Sequence, residues 1–273
     1  TLARPHPSTS GARKSSMSTF RRILLSIACL WLAACASLPP SAARDDEAGF
    51  RNVREQAHYR VRVREGMAPL PEGSRFRLPV VRVVDDGTGP GISQAQAGVV
   101  ATHAARSVCL VLSPWVRWVD DDDAGRIALD LRRIGQSSSG LAATSAVIDA
   151  VVPGPFRLPA GLGALEVDSR IEAADGTPVL ELRWARGANP LLHRARASSI
   201  GDAWELAPSH ARDLKAALAA LHPVAQPDEV RKANLAACNA RFGEVSVAGR
   251  AASLFVPLSP EALDPSDDED PSP

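Results

Sequence analysis

Cysteine is the residue type with the most specific chemistry in this chain, and one of its four cysteines, Cys35, closes a short apolar run. The run covers residues 23–34, is broken only by Ser26 and follows Arg21 and Arg22. A helix needs about 20 apolar residues to cross a bilayer, so this run is too short for a permanent span. Positive charge followed by a short apolar stretch is typical of a signal segment. A thiol at its end is a soft nucleophile that can carry a stable thioether.

Residues 32–35, Leu-Ala-Ala-Cys, resemble the lipobox of bacterial lipoproteins, in which small residues precede an obligatory cysteine. The resemblance implies that Cys35 is lipidated and that the signal is cleaved between Ala34 and Cys35. Two or three acyl chains would anchor the protein permanently, because each buried CH₂ contributes about 0.8 kcal/mol. In Gram-negative lipoproteins an aspartate after the cysteine favours the inner membrane. Ala36 at that position therefore implies an outer-membrane lipoprotein whose domain faces the periplasm.

Two alternatives to a lipidated anchor stay open, namely a plain cleaved signal peptide with an incidental cysteine, and a buried core helix. Residues 1–16 contain no methionine, and the first methionine is Met17. We therefore predict that translation starts at Met17, while a natural basic extension would leave the lipobox interpretation unchanged.

Two further cysteines, Cys109 and Cys238, remain once Cys29 leaves with the signal and Cys35 takes lipid. The periplasm is oxidising, so a single intramolecular bridge between them would attach the C-terminal segment to the main domain. Two buried free thiols packed as small hydrophobes are the alternative. The sequence leaves both open, because a bridge requires the two Cα atoms to lie within about 7 Å.

Known catalytic and metal-binding motifs are missing from the sequence: it contains no G-x-S-x-G, H-E-x-x-H, C-x-x-C or Walker pattern. Four histidines have no regular metal-ligand spacing, and we predict that they are surface or partly buried residues: His103, His193, His210 and His222. The aspartates at 120–123 lack the spacing, glycine and glutamate of a calcium loop, which favours a solvated turn. Gly87, Gly89 and Gly91 are expected in a strand-to-helix loop. No catalytic residue, metal or cofactor is predicted.

Composition places the chain among ordinary globular proteins, with 273 residues, 45% hydrophobic and 23% charged. Its 31 basic and 31 acidic residues cancel, which argues against a nucleic-acid partner. Residues 35–57 carry a proline pair and charges, and we predict a flexible tether there, with the globular domain at 58–223. An appended helix and short strands would follow at 224–256. The proline-rich acidic tail at 257–273 is predicted to be disordered.

The elements that would position any site are indicated by the spacing of apolar residues, which alternates along the chain between period two, typical of strands, and period 3.6, typical of helices. This pattern predicts an α+β domain with a mixed or antiparallel sheet. Residues 75–84 favour a strand that Pro79 marks as an edge or interrupts. A helix is predicted over 93–112, capped by Ser93. Short strands are expected at 115–119 and 126–134.

The clearest local pattern predicts a β-hairpin over 163–187, in which apolar and polar residues alternate on both sides of an Asp175-Gly176 turn. A second main helix is predicted over 202–221, with Pro208 kinking it or delaying its start. Trp115, Trp118, Trp184 and Trp204 are interpreted as core or sheet-face residues. A further helix is expected near 228–239, and the runs at 244–248 and 252–256 could add an edge to the sheet.

The hairpin and the helix after it, SRIEAADGTPVLELRWARG and SIGDAWELAPSHARDLKAAL, resemble a family of bacterial envelope lipoproteins of unknown function. That family has a D-x-x-T-G style turn and a Trp-Gly-Asp-Ala helix start. This chain has Asp175-Gly176-Thr177 and Ile200-Gly201-Asp202-Ala203 at those places. The likeness covers residues 50 to 222 and implies a small α+β domain, but no activity.

Two classes of function are compatible with these patterns. The preferred hypothesis is a lipid-anchored, non-enzymatic outer-membrane lipoprotein whose domain binds an envelope protein or cell-wall component through a sheet edge or the hairpin. The alternative is an envelope hydrolase or small-ligand binder with a site built from dispersed residues. A deep pocket in which Asp, His and Ser side chains converge would favour that alternative.

Overall fold

The computed structural model describes residues 48–56, 58–65, 70, 73–84, 88–89, 91–137, 162–188 and 198–243, all within the compact unit Ala36–Pro273. This part of the chain contains three helices and eight strands. The helices are α1 (Gln94–Leu112), α2 (Gly201–Ala219) and α3 (Asp228–Phe242). The strands are β1 (Arg51–Gln56), β2 (Tyr59–Glu65), β3 (Arg75–Phe76), β4 (Val80–Val83), β5 (Arg117–Trp118), β6 (Arg126–Gly135), β7 (Ala164–Glu172) and β8 (Pro178–Gly187).

Six of these strands form one sheet in the order β1-β2-β8-β7-β6-β4. All neighbours are antiparallel except β4, which runs parallel to β6. β3 and β5 form a separate parallel pair. The predicted α+β class with a mixed, mostly antiparallel sheet and two main packing helices is therefore confirmed.

The β7–β8 hairpin lies in the middle of the sheet, between β6 and β2. Its turn forms as expected, because Gly176 has φ 82° and the Thr177 N–H donates to Asp175 Oδ1 at 2.9 Å. This hydrogen bond to the carboxylate lowers the pKa of Asp175. Both hairpin strands are paired on both sides, so the hairpin offers no free edge. The edges of the sheet, within the described residues, are β1 and β4.

The predicted strand over 75–84 is split into β3 and β4, which belong to different sheets. Pro79 lies between them and has no N–H for a sheet hydrogen bond, which explains the interruption. The predicted tether over 35–57 is also wrong at its C-terminal end, because β1 lies inside it and pairs with β2. The exposed β1 side chains gave no apolar alternation from which this strand could be predicted.

Both main helices begin close to where the sequence predicts. Ser93 forms a capping box with Gln96 at the start of α1: its Oγ accepts the Gln96 N–H at 3.2 Å, and Gln96 Oε1 accepts the Ser93 N–H at 3.0 Å. α2 starts at Gly201 and runs continuously through Pro208, so the proline does not delay its start.

The core lies between one face of the large sheet and helices α1 and α2. Leu129, Leu131, Val167 and Leu182 are fully buried on that face. α1 is the one helix among the described residues that is long and apolar enough to cross a membrane, and most of it is buried inside the domain. Its apolar character is therefore explained by its place in the core. Trp118, Trp184 and Trp204 are buried as predicted, and Trp115 is partly buried.

Candidate functional site

The predicted lipidation site lies outside the described residues. Cys35 and Ala34 belong to the part of the chain of which the structure describes nothing, as do His193, the runs at 244–256 and the tail at 257–273. Lipidation and cleavage therefore stay predictions from the lipobox.

Cys109 and Cys238 form a disulfide in this structure, with their Cα atoms 5.9 Å apart. The bond joins the last turn of α1 to α3, which has just two buried residues, Asn234 and Cys238. Asn234 adds hydrogen bonds to the backbone: its Nδ2 donates to Ser113 O at 2.9 Å and to Val116 O at 2.6 Å. Its Oδ1 accepts the Trp118 N–H at 3.0 Å. α3 is thus attached by a covalent bond and by the hydrogen bonds of Asn234, among others.

His210 lies in the core, which corrects the prediction that it is a surface or partly buried residue. It is fully buried on α2, and its Nε2 lies 2.7 Å from Ser169 Oγ on β7. Burial lowers the pKa of His210 to about 3, because desolvation disfavours the charged imidazolium. Its Nδ1 has no hydrogen-bond partner among the described residues. His103 is buried as well, stacked on Trp204 with 4.0 Å between ring centroids, whereas His222 is exposed.

An aspartate on the next turn of α2 completes a polar cluster beside this pair. Asp213 accepts hydrogen bonds from the Tyr59 hydroxyl and, at 2.7 Å, from Trp184 Nε1. The Trp184 ring meets His210 edge-on at 5.5 Å. Burial, followed by the bond to Asp213, raises the pKa of Tyr59 to about 12. The phenol therefore stays a neutral donor, and the cluster joins β2, β7 and β8 to α2.

Ser169 and His210 meet inside the core, whereas Asp213 is partly buried and, within the described residues, is linked to them only through Trp184. Ser169 is 3% exposed and His210 is fully enclosed, so a substrate in solvent cannot reach the serine oxygen. The Nδ1 atom that an orienting carboxylate would hold in a catalytic triad has no such partner in the described part of the chain. The arrangement can stabilise the helix–sheet packing, but it does not have the geometry of an accessible nucleophile and base.

Asp202, from the motif that carries the family resemblance, has a similar structural role. Its Oδ2 accepts the Ser137 hydroxyl at 2.8 Å and the Gly163 N–H at 2.7 Å. Asp202 is 1% exposed in the first turn of α2. It ties this helix start to the end of β6 and to the residue before β7, and its charge suits a helix N-terminus.

The acidic turn at 120–123 forms ion pairs with neighbouring arginines. Arg75 pairs with Asp121, and Arg77 Nη1 lies 3.1 Å from Asp122 Oδ1. Within the described ranges, the structure places no three His, Cys, Asp or Glu residues where they could hold a metal ion. Asp121 and Asp122 in this turn thus have arginines as ion-pair partners.

The face of the large sheet opposite α1 and α2 carries a charged, solvent-facing surface that sequence reasoning missed. We call it the arginine dish. It is lined by Arg82, Arg132, Arg170, Arg183, Asp130, Asp168 and Glu181. On β2, Arg62 lies directly across from Arg183, and Arg64 lies across from Glu181. With these two, the dish holds six arginines and three acidic residues.

The charges of the dish are arranged in a lattice across the strands. Arg82 binds both oxygens of Asp130, at 2.8 and 2.9 Å, and Arg132 Nε binds Asp168 at 2.9 Å. Phe50 covers one side, with the guanidinium carbons of Arg183 and Arg64 at 4.1 and 4.7 Å from its ring centroid. The side chains of Arg82 and Arg170 are 72% and 57% exposed. The sequence does contain a signal for this face, because Arg60, Arg62 and Arg64 alternate with apolar residues in YRVRVRE.

Comparison with known proteins gives no family. No family model matches the chain, and no curated protein matches it. Among solved structures, the chain is similar to a dodecamer of a PelC variant from Paraburkholderia phytofirmans, with 13% identity over 58% of this chain and 97% of that chain, and a TM-score of 0.35. A second PelC dodecamer structure from the same organism is 12% identical over 59% of this chain and 96% of that chain, with a TM-score of 0.35. We draw no conclusion about this chain from a likeness at this level.

Proposed function

We propose that this protein is an outer-membrane lipoprotein, anchored by lipid on Cys35, whose folded domain is a non-enzymatic binding module facing the periplasm. Its arginine dish binds an anionic envelope component, either a protein or a cell-wall constituent. The observation that carries this proposal is the positive, solvent-facing dish on the sheet face opposite the helices.

The anchor is supported by the sequence alone. Residues 32–35 match the lipobox pattern at each position, and the preceding apolar run has the length and charge of a signal segment. A disulfide between Cys109 and Cys238 is consistent with export to an oxidising compartment.

A binding role is favoured over hydrolysis because of where the polar clusters lie. The Ser–His pair described above, Ser169–His210, is enclosed in the core, whereas the side chains of Arg82 and Arg170 in the dish are mostly exposed to solvent. Arginine pairs well with carboxylate and phosphate groups through its planar fork of N–H donors. Six arginines stand against the three acidic residues of the dish and Glu172, which pairs with Arg170, so positive charge is in excess there although the whole chain is neutral.

The anchor is tested by substituting the lipidated residue. Cys35→Ser should abolish acylation and leave an uncleaved or soluble species, which intact-mass analysis and membrane fractionation would detect. An unmodified Cys35 in the mature wild-type protein would disprove the lipid anchor. It would not bear on the proposed binding role of the folded domain.

The partner is tested by crosslinking in intact envelopes and affinity recovery of the tagged protein. The double variant R132E/R170E reverses two charges in the dish, and the control R231E reverses one charge on the exposed surface of α3. We expect a specific crosslinked component that is lost in R132E/R170E, kept in R231E and weakened by added salt. Recovery of lipid alone, or equal recovery from all forms, would contradict the proposal.

A further inference from the structure

Two arginines converge on one tyrosine at the β1 end of the large sheet. Arg54 on β1 and Arg186 on β8 flank Tyr59 on the strand between them, β2. The strand register places all three side chains on the face towards α2, opposite the arginine dish. The guanidinium carbons lie 4.9 and 4.8 Å from the centroid of the Tyr59 ring, which is a cation–π distance. Two positive charges are thus held around a single aromatic ring.

Neither arginine has an acidic partner within the described residues, and each contacts the Tyr59 ring instead. By contrast, Arg51 on the same strand as Arg54 pairs with Glu65 at 3.1 Å. Arg186 is half-buried, and its Nε is enclosed without a hydrogen-bond partner in this part of the chain. Removing a charge from water costs free energy unless an opposite charge accompanies it. A bound anion would supply that opposite charge at Arg186.

The carboxylate at this ring, Asp213, already binds other donors. Its Oδ2 accepts the Tyr59 hydroxyl and, at 2.7 Å, Trp184 Nε1. Among the described residues it forms no ion pair with Arg54 or Arg186. Its single negative charge therefore leaves the two guanidinium groups in excess. Arg54 is exposed like the rest of β1, so an anion can approach from solvent.

The arrangement of the two guanidinium groups favours phosphate over carboxylate as the anion. Arg54 and Arg186 reach Tyr59 from strands on its two sides, so an anion that binds both must accept from two directions. A planar carboxylate matches the flat fork of one guanidinium group, whereas a tetrahedral phosphate has oxygens that point several ways. A phosphate monoester also carries a charge of about −1.5 to −2 at pH 7, which matches two guanidinium groups.

We propose that Arg54 and Arg186 bind the phosphate group of a phosphate monoester beside Tyr59, at a site separate from the arginine dish. The monoester is either a soluble molecule or a lipid headgroup, and both present the same phosphate to the arginines. Because the two sites lie on opposite faces of the sheet, this site does not depend on what the dish binds.

The test is an NMR titration of the chain Ala36–Pro273, the compact unit that contains every described element. Glycerol 3-phosphate is added at pH 7 while the side-chain Nε–H signals of Arg54 and Arg186 are followed. We expect saturable shifts at both arginines, and none at Arg231, an exposed arginine that pairs with Asp228. Acetate, the carboxylate probe, should bind at least about tenfold more weakly. Absent or non-saturating shifts, or equal binding of acetate, would overturn the proposal.

Matched variants locate the bound phosphate. R54Q and R186Q should each weaken the affinity for glycerol 3-phosphate at least about tenfold, because each removes one charged fork of donors. R231Q on α3 and R132Q/R170Q in the dish should leave this affinity unaltered. R54Q alters an exposed side chain, so its effect can be measured even if R186Q does not fold. Affinity that survives R54Q, or that is lost in R132Q/R170Q, would overturn the proposal.

Vesicles distinguish the two sources of the phosphate. Phosphatidylcholine vesicles are sedimented with the chain, with and without phosphatidic acid, whose headgroup is a phosphate monoester. Capture that requires phosphatidic acid and is lost in R54Q assigns the phosphate to a lipid headgroup. Binding of glycerol 3-phosphate without such capture assigns it to a soluble ligand.

Discussion

At the scale of single residues, His210 and Ser169 show how a pair with catalytic chemistry can serve packing. The two atoms, 2.7 Å apart, connect α2 to the central strand β7, and both side chains are buried. A buried polar atom that loses its partner keeps the full cost of its desolvation. The pair is therefore expected to stabilise the fold only as long as both members are present.

Removing the serine hydroxyl should leave His210 Nε2 unsatisfied. We expect Ser169→Ala to lower the free energy of unfolding by about 1–3 kcal/mol in urea denaturation. Arg170→Ala, on the neighbouring exposed residue, should change it by less than about 0.5 kcal/mol. Combining Ser169→Ala with His210→Leu should recover part of the loss, because neither polar atom then remains buried. Equal stability of Ser169→Ala and the unaltered protein would show that the pair does not stabilise the fold.

The lowered pKa of His210 predicts a loss of stability in acid. The imidazole titrates near 6.5 in the unfolded chain and near 3 in the folded protein, so the unfolded state binds an extra proton between those values. Stability attributable to His210 is therefore present above about pH 6.5 and is lost as the pH falls towards 3. The slope reaches about 1.4 kcal/mol per pH unit. Denaturation of the wild type and His210→Leu at several pH values should show a shallower decline in the variant; parallel declines would refute the assignment.

At the scale of elements, α3 depends on specific attachments more than on apolar burial. Its buried residues are Asn234 and Cys238, and Leu235 next to them is 42% exposed. The disulfide partner Cys109 is 129 residues away in sequence, so the bond closes a long loop. Such a loop has high conformational entropy in the unfolded chain, which the bond removes.

Loss of the disulfide should destabilise the whole fold, and α3 should unfold locally before the rest of the domain. We expect Cys109→Ala/Cys238→Ala to lower the free energy of unfolding by about 2–5 kcal/mol. Hydrogen exchange should rise most in Asp228–Phe242, because this helix keeps few buried contacts without the bond. Adding reductant to the variant should have no further effect. If both thiols of the non-reduced denatured protein can be alkylated without reductant, the bond does not form in the protein.

At the scale of the whole molecule, the two faces of the large sheet differ in burial and charge. The face towards α1 and α2 holds buried leucines, valines and isoleucines, whereas the dish face holds exposed ion pairs. Burial of apolar surface stabilises strongly, while exposed ion pairs contribute about 0–1 kcal/mol each. We therefore expect the face packed against α1 and α2 to contribute most of the folding stability, and the dish face to have the binding role proposed above.

Leu131 and Arg132 are adjacent on β6 and test this division directly. Leu131 is fully buried, so Leu131→Ala should lower the free energy of unfolding by about 2–5 kcal/mol. The Arg132 side chain is 40% exposed and pairs with Asp168, so Arg132→Ala should change it by less than about 1 kcal/mol. Chemical denaturation of both variants gives the comparison. A cost for Arg132→Ala equal to that for Leu131→Ala would mean that the dish is mainly a structural lattice.

The sequence predicted the elements whose signals are local. The Ser93 cap, the Asp175-Gly176 turn, the alternation of β7 and β8 and the interruption at Pro79 depend on residues within a few positions of each other. Caps, turns and side-chain periods act over that range, so they can be predicted from one chain. The lipobox is local in the same sense, and lipidation of Cys35 stays a prediction because it lies outside the described residues.

The tertiary structure alone decided which distant residues meet. It joined Cys109 to Cys238, paired Ser169 with His210, put the hairpin at the centre of the sheet and added the polar strand β1 at its edge. The sequence left the cysteine pairing open and placed His210 wrongly, because burial depends on how helices and strands pack across long stretches of chain. The arginine dish arises in the same way. Single arginines on separate strands become one basic surface only when the strand order brings them to the same face.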